Sequence, residues 1–248
     1  MTSFSGYYIN GAVCCGARYS TRRYRSMNFM SSALWTDGYR EHSLMPNDNG
    51  LRRCKCGNYF LQKELVTISE VDETDEPLAP RVPPEDLPAA IAQARTQAIE
   101  LAARLDYWQH LNHTYRDLYR AHRDAEDAAT QAAWEAANPD QRTAWQKLRN
   151  MDRKPRYQPA LERPITFPVV EASPTQRENM MALLGLIDTA DEAKRHAFTR
   201  VELHRELGQF DEARQALVLV DQEEIASVCR LAMQLIDQCH AAPVRYGA

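Results

Sequence analysis

Two short cysteine clusters are the residues in this 248-residue chain whose type and spacing could do chemistry. They are Cys14-Cys15-Gly16-Ala17-Arg18-Tyr19 and Cys54-Lys55-Cys56-Gly57-Asn58-Tyr59-Phe60. Each is a cysteine pair, then glycine, then two residues or fewer before an aromatic ring. Thiolates suit zinc, and four of them close a structural tetrahedral site. The glycine permits a bend whose N–H groups can point at the sulfur atoms. Six cysteines are too few for a disulfide scaffold in a chain of this length. In a reducing compartment, clustered thiols more often mark metal or chemistry. Two other readings stay open: a β module with free or oxidisable thiols, and a C-x-C redox pair that nothing in the flanks supports.

The two clusters resemble the knuckles of a zinc ribbon, in which two β-turns, usually C-x-x-C-G, meet at one metal. Leu34-Trp35-Thr36-Asp37-Gly38-Tyr39 is similar to a segment of uncharacterised bacterial zinc-ribbon proteins. The resemblance implies structural Zn2+ held by Cys14, Cys15, Cys54 and Cys56, with room for a β-hairpin between Cys15 and Cys54. The spacing departs from the family: the pairs are C-C-G and C-x-C-G. Adjacent cysteines reach one ion only with strain, so His42 or water could replace one of Cys14 and Cys15. A four-ligand site would be structural, because catalytic zinc keeps an open position. Its binding energy would help fold a small unit with little apolar core.

Other candidate chemistry is weaker. His110 and His113 are three apart on a helix but lack an H-E-x-x-H context, and read as a surface pair. Phosphate-binding and nucleophile-elbow glycine motifs are absent from the sequence, and only nine glycines occur. Cys229 and Cys239 fall among apolar residues at helical spacing and read as buried thiols. The expectation is a protein that is not an enzyme.

The elements that must position the thiols are of two kinds, giving an α+β fold: a small N-terminal zinc-ribbon-like β module followed by a mostly α-helical domain. Residues 1–68 read as β, with turns at Asp37-Gly38 and Pro46-Gly50. Residues 69–84 are acidic and proline-rich and read as a linker. Residues 85–151 read as a long-helix bundle, because apolar residues from Leu87 to His122 recur every 3 or 4 positions, predicting one helix of over thirty residues. A second helix is expected over 124–137 and a third over 140–151. Five prolines make 152–174 a connector. Residues 175–248 read as helical hairpins. Leu207-Gly208-Gln209-Phe210-Asp211-Glu212-Ala213 resembles the turn of a tetratricopeptide repeat, with Gly208 ending one helix and Phe210 wedged between two.

The net charge of −4 conceals a gradient. Residues 1–70 hold nine basic and five acidic side chains, leaving the remainder at −8. Arg18, Arg22, Arg23, Arg25, Arg52 and Arg53, interleaved with Tyr19, Tyr24 and Phe29, form a candidate partner-binding face. The start carries no secretory pattern, and no apolar run reaches a membrane span. The expectation is therefore a cytoplasmic adaptor or accessory protein that binds a protein partner, one version being a subunit of a bacterial defence, toxin–immunity or secretion system. The alternative is a nucleic-acid-binding ribbon using the same Arg/Tyr face.

Overall fold

The computed structural model describes residues 3–27, 33–41, 49–140, 142, 143, 145, 157, 171–189 and 195–246. Small sheets come first in the chain and helices follow, as the α+β reading expects. Two compact units emerge, one formed by residues 1–113 and 170–248 and the other by 114–169.

In the first unit, β1 (Ser3–Gly11), β2 (Arg18–Ser26) and β7 (Val66–Val71) form a sheet in the order β2-β1-β7. Both pairings are antiparallel. The β1–β2 register slips between Phe4 and Tyr7, around Gly6 at φ 125°. A Cβ there would lie 2.4 Å from the Val71 carbonyl oxygen, so this bulge requires glycine. β5 (Leu51–Arg53) and β6 (Tyr59–Leu61) make a separate hairpin. The third sheet joins distant parts of the chain: β3 (Ala33–Trp35) lies between β4 (Arg40–Glu41) and β8 (Arg245–Tyr246). The β part is thus not a self-contained module, because the C-terminal segment completes one of its sheets.

The acidic, proline-rich segment is also more than a linker. Residues 69–71 finish β7, and residues 76–81 run extended against two strands. Prolines at 77 and 80 forbid helix and suit this course.

The apolar seam from Leu87 to His122 is cut into pieces: α1 (Leu87–Ala92), α2 (Gln97–Leu111) and the start of α3 (His113–Ala137). Thr96 is extended and its side chain accepts from the Ile99 amide, a cap that starts α2 afresh. Heptad spacing recorded the buried stripe but not these caps. The expected helix over 124–137 is the end of α3; that over 140–151 and the connector over 152–174 fall largely outside the described residues.

α4 (Pro174–Thr189) begins with a capping box in which the Gln176 amide donates to Ser173 Oγ and the Ser173 amide donates to Gln176 Oε1. α5 (Ala197–Glu206) and α6 (Phe210–Val218) form a hairpin, followed by α7 (Gln222–Asp237). Gly208, at φ 78°, stands in a Schellman turn, with its amide on the Arg205 carbonyl and that of Gln209 on the His204 carbonyl. Phe210 packs against the cluster of Val201, Ala213, Leu217 and Ile236. A second core joins Leu101, Leu105 and Trp108 of α2 to Met180, Leu183 and Ile187 of α4 and Leu203 of α5. A third seats Leu51, Tyr59 and Leu61 on Leu87, Ile99 and Ala103.

The second unit contains most of α3, in which Tyr115, Arg116 and Tyr119 are buried and the Trp134 ring lies 5.9 Å from that of Tyr157. Among the described residues, no helix is long and apolar enough to cross a membrane.

Candidate metal centre

Each cysteine pair sits on a hairpin tip. Between β1 and β2 the Ala12 amide donates to the Ala17 carbonyl and the Gly16 amide to the Ala12 carbonyl, closing a loop over Val13, Cys14, Cys15 and Gly16. Gly16 takes φ 71°. Between β5 and β6 the Cys54 amide donates to the Asn58 carbonyl and the Gly57 amide to the Cys54 carbonyl. With Gly57 at φ 88°, this is a three-residue turn with a glycine bulge. Cys54 closes this loop and Cys56 lies inside it, whereas both Cys14 and Cys15 lie inside the first.

The two tips converge. Cys14 Sγ lies 3.5 Å from Cys56 Sγ, Cys15 Sγ lies 3.4 Å from Cys54 Sγ, and the adjacent Cys14 and Cys15 sulfurs are 4.0 Å apart. All four lie within 4.8 Å of one another. A tetrahedral ion with metal–sulfur bonds of ~2.3 Å needs sulfurs roughly 3.8 Å apart. The four thiols therefore could hold a metal ion, and both members of the adjacent pair face the same point. Cys14 and Cys15 are the two middle residues of the four-residue loop, and each sulfur lies beside a different cysteine of the second tip. His42, the expected substitute ligand, lies outside the described residues.

A small core supports the tips. Cys54 is buried with Ala12, Tyr19 and Phe60, and the Tyr19 and Phe60 rings lie 5.9 Å apart. The Tyr19 hydroxyl donates to Cys54 Sγ (3.5 Å) and accepts from the Lys55 amide (2.8 Å). Asn58 Nδ2 donates to Cys56 Sγ at 3.2 Å. These are the outer contacts that orient sulfur ligands. Burial opposes ionisation of Cys54, but hydrogen bonds from the Cys56 amide, the Tyr19 hydroxyl and the neighbouring thiols outweigh it and bring that thiol down to about 6. Burial, together with hydrogen bonds and negative charge from its neighbours, pushes Cys14 up to about 12. A cation supplies the charge that lets such a cluster ionise together.

Residues 76–81 bond to both hairpins beside their tips. The Ser20 amide donates to the Pro77 carbonyl (2.8 Å) and Ser20 Oγ to the Glu76 carbonyl (2.7 Å), just after the first tip. The Arg53 amide donates to the Pro80 carbonyl (3.0 Å), just before the second.

The six arginines of the candidate face do not share one surface. Arg22 and Arg25 are exposed on β2 and Tyr24 is half-buried. Arg18 pairs with Glu76 at 3.2 Å, Arg23 with Glu70, and Arg53 with Asp86 at 2.8 Å. Arg52 is only 5% exposed, donating to the Leu51 carbonyl and Gln62, which removes it from any docking face. Tyr19 is buried at the thiols, and Phe29 is outside the described residues. Of the other cysteines, Cys229 is buried as expected, but Cys239 is exposed because it caps α7.

Sequence reasoning missed a buried polar cluster. The Trp108 indole N–H donates to Glu206 Oε2 (2.8 Å), and Asn112 Nδ2 donates to both Glu206 Oε2 and Asp37 Oδ2 (3.1 Å each). Beside it, Arg205 donates to Glu202 Oε2 (2.5 Å), to Thr36 Oγ1, and to the His240 and Ala242 carbonyls. Burial first, then the charge of Asp37, pushes Glu206 up to about 8 despite Arg205 nearby. The available signal was the Glu-x-x-Arg-Glu run 202–206 inside an apolar helix pair. Comparison of the chain with protein-family models, with curated proteins and with solved structures finds no match.

Proposed function

We propose that the chain is a metal-stapled, non-catalytic binding protein in which Cys14, Cys15, Cys54 and Cys56 hold a structural Zn2+. The observation that carries this reading is the convergence of four sulfurs from two hairpin tips at tetrahedral spacing. An all-thiolate set of this kind suits zinc, and four protein ligands leave no position for a substrate. The ion supplies a cross-link between the β1–β2 and β5–β6 hairpins. The function then lies on the surface so fixed, with Arg22 and Arg25 on β2 as its charged contacts and a cytoplasmic protein as partner. The test is elemental analysis of protein purified without an affinity metal, alongside the Cys54→Ser/Cys56→Ser variant. About one zinc per chain, lost in the variant, is expected; zinc-free wild-type protein overturns the reading.

The exposed Arg22 and Arg25 beside Tyr24 also favour a second reading, a nucleic-acid contact. It predicts affinity that falls steeply with salt and vanishes in Arg22→Ala/Arg25→Ala.

A further inference from the structure

We infer that the outer edge of β2 is a docking site for an acidic, extended peptide that adds as a strand, which names the partner chemistry of the binding surface above and rests on that reading. β2 ends its sheet, in the order β2-β1-β7. An edge strand presents unpaired backbone groups to any extended chain that can lie beside it. The protein already uses this edge once. Its own acidic run, Asp72-Glu73-Thr74-Asp75-Glu76-Pro77-Leu78, arrives at the start of β2, where Leu78 forms a parallel bridge with Ser20. There the Ser20 amide donates to the Pro77 carbonyl and Arg18 pairs with Glu76. This contact combines the backbone and the charge elements of strand addition.

After Leu78 the segment leaves β2 for β5, where Arg81 bridges Arg52. Among the described residues, nothing else bridges the outer edge of β2. Strand alternation gives Arg22 and Tyr24 the same backbone orientation as Ser20, with their amides facing outward. Arg22 stands on one face of the sheet and Arg25 on the other, because successive side chains alternate. Both are exposed, and neither has a carboxylate partner among the described residues. An added strand also alternates its side chains, so a segment with acids at adjacent positions, as at Asp72-Glu73 and Asp75-Glu76, meets both arginines. A strand of one-sided charge meets one.

The probe is a fluorescently labelled peptide of the chain's own acidic sequence, Asp-Glu-Thr-Asp-Glu-Pro-Leu-Ala, with Asn/Gln replacing Asp/Glu in the control. Binding is followed by fluorescence anisotropy on the full-length protein after its zinc content has been measured. The acidic peptide is expected to bind and the neutral one at least tenfold more weakly. Arg22→Ala/Arg25→Ala should weaken the acidic peptide by a similar factor. Tyr24→Pro, which a strand edge tolerates because the lost N–H faces outward, should also abolish binding while circular dichroism stays unchanged. Equal binding by Tyr24→Pro reduces the site to charge attraction and overturns strand addition. Tighter binding of a single-stranded oligonucleotide than of the peptide overturns the choice of partner. Zinc-containing protein that ignores the peptide sinks this inference alone, whereas zinc-free protein that binds it sinks only the metal reading.

Discussion

Glu206 makes the stability of this protein depend on pH in a direction opposite to that of an ordinary surface carboxylate. It is buried beside Asp37 and Glu202, with Arg205 as the opposing charge, and its carboxyl is pushed from the usual 4.5 up to about 8. Below pH 4.5 folded and unfolded chains both carry the proton, and this contribution is fully present. Between pH 4.5 and about 8 the unfolded chain has released the proton and the folded chain keeps it, so stability is lost as pH rises. The slope is about 1.4 kcal/mol per pH unit and the whole window about 5 kcal/mol, to order of magnitude. Glu206→Gln removes the ionisation while leaving an amide oxygen able to accept from the Trp108 N–H. Urea unfolding of both proteins at pH 5, 6, 7 and 8 isolates the effect. The variant's stability relative to wild type should rise steadily with pH, by several kcal/mol over the series. A relative stability that is flat across these pH values would refute the argument that burial and the Asp37 charge hold this proton.

Two further substitutions test backbone conformations. Gly6→Ala places a methyl group against the Val71 carbonyl at a positive φ, and should lower stability by roughly 3 kcal/mol with loss of amide protection in β7; an unchanged Tm would show that the bulge relaxes. Cys239→Gly, at φ 51° in the Schellman turn that ends α7, should raise stability by about 0.5–1 kcal/mol in thermal or urea unfolding, because an exposed side chain occupies a position that favours glycine.

The cysteine clusters were readable because their chemistry is local: thiols beside glycine on short turns bring the geometry with them. That both Cys14 and Cys15 turn to the same point was not readable, since it depends on where the second hairpin tip stands. Ser20 and Arg53, beside the two tips, both donate to carbonyls of one segment, those of Pro77 and Pro80, whose composition suggested only a loose tether. The helical stripe from Leu87 onward correctly marked buried residues such as Leu101, Leu105 and Trp108, but a periodic pattern does not register Thr96, whose side chain restarts the helix. Arg52 looked like surface because charge is usually solvated. Gln62 and the Leu51 carbonyl, both close in sequence, allow it inside. The Asp37–Asn112–Glu206 cluster was invisible for a different reason: its members lie far apart along the chain and meet only in the folded core.

The pairing of Trp35 with Arg245 also places a clock on the birth of the molecule. A ribosome adding roughly 5–20 residues per second needs about 10–40 seconds to travel from one partner to the other. Throughout that interval β3 lacks its C-terminal neighbour, and once Arg205 emerges it waits for the carbonyls of His240 and Ala242. Closure of this part of the fold is a late, long-range event, and such non-local pairings are slow to form. The β1–β2 and β5–β6 hairpins, whose partners lie close in sequence, need no such delay. The cysteine tips can thus meet a metal while the rest of the chain is still being made.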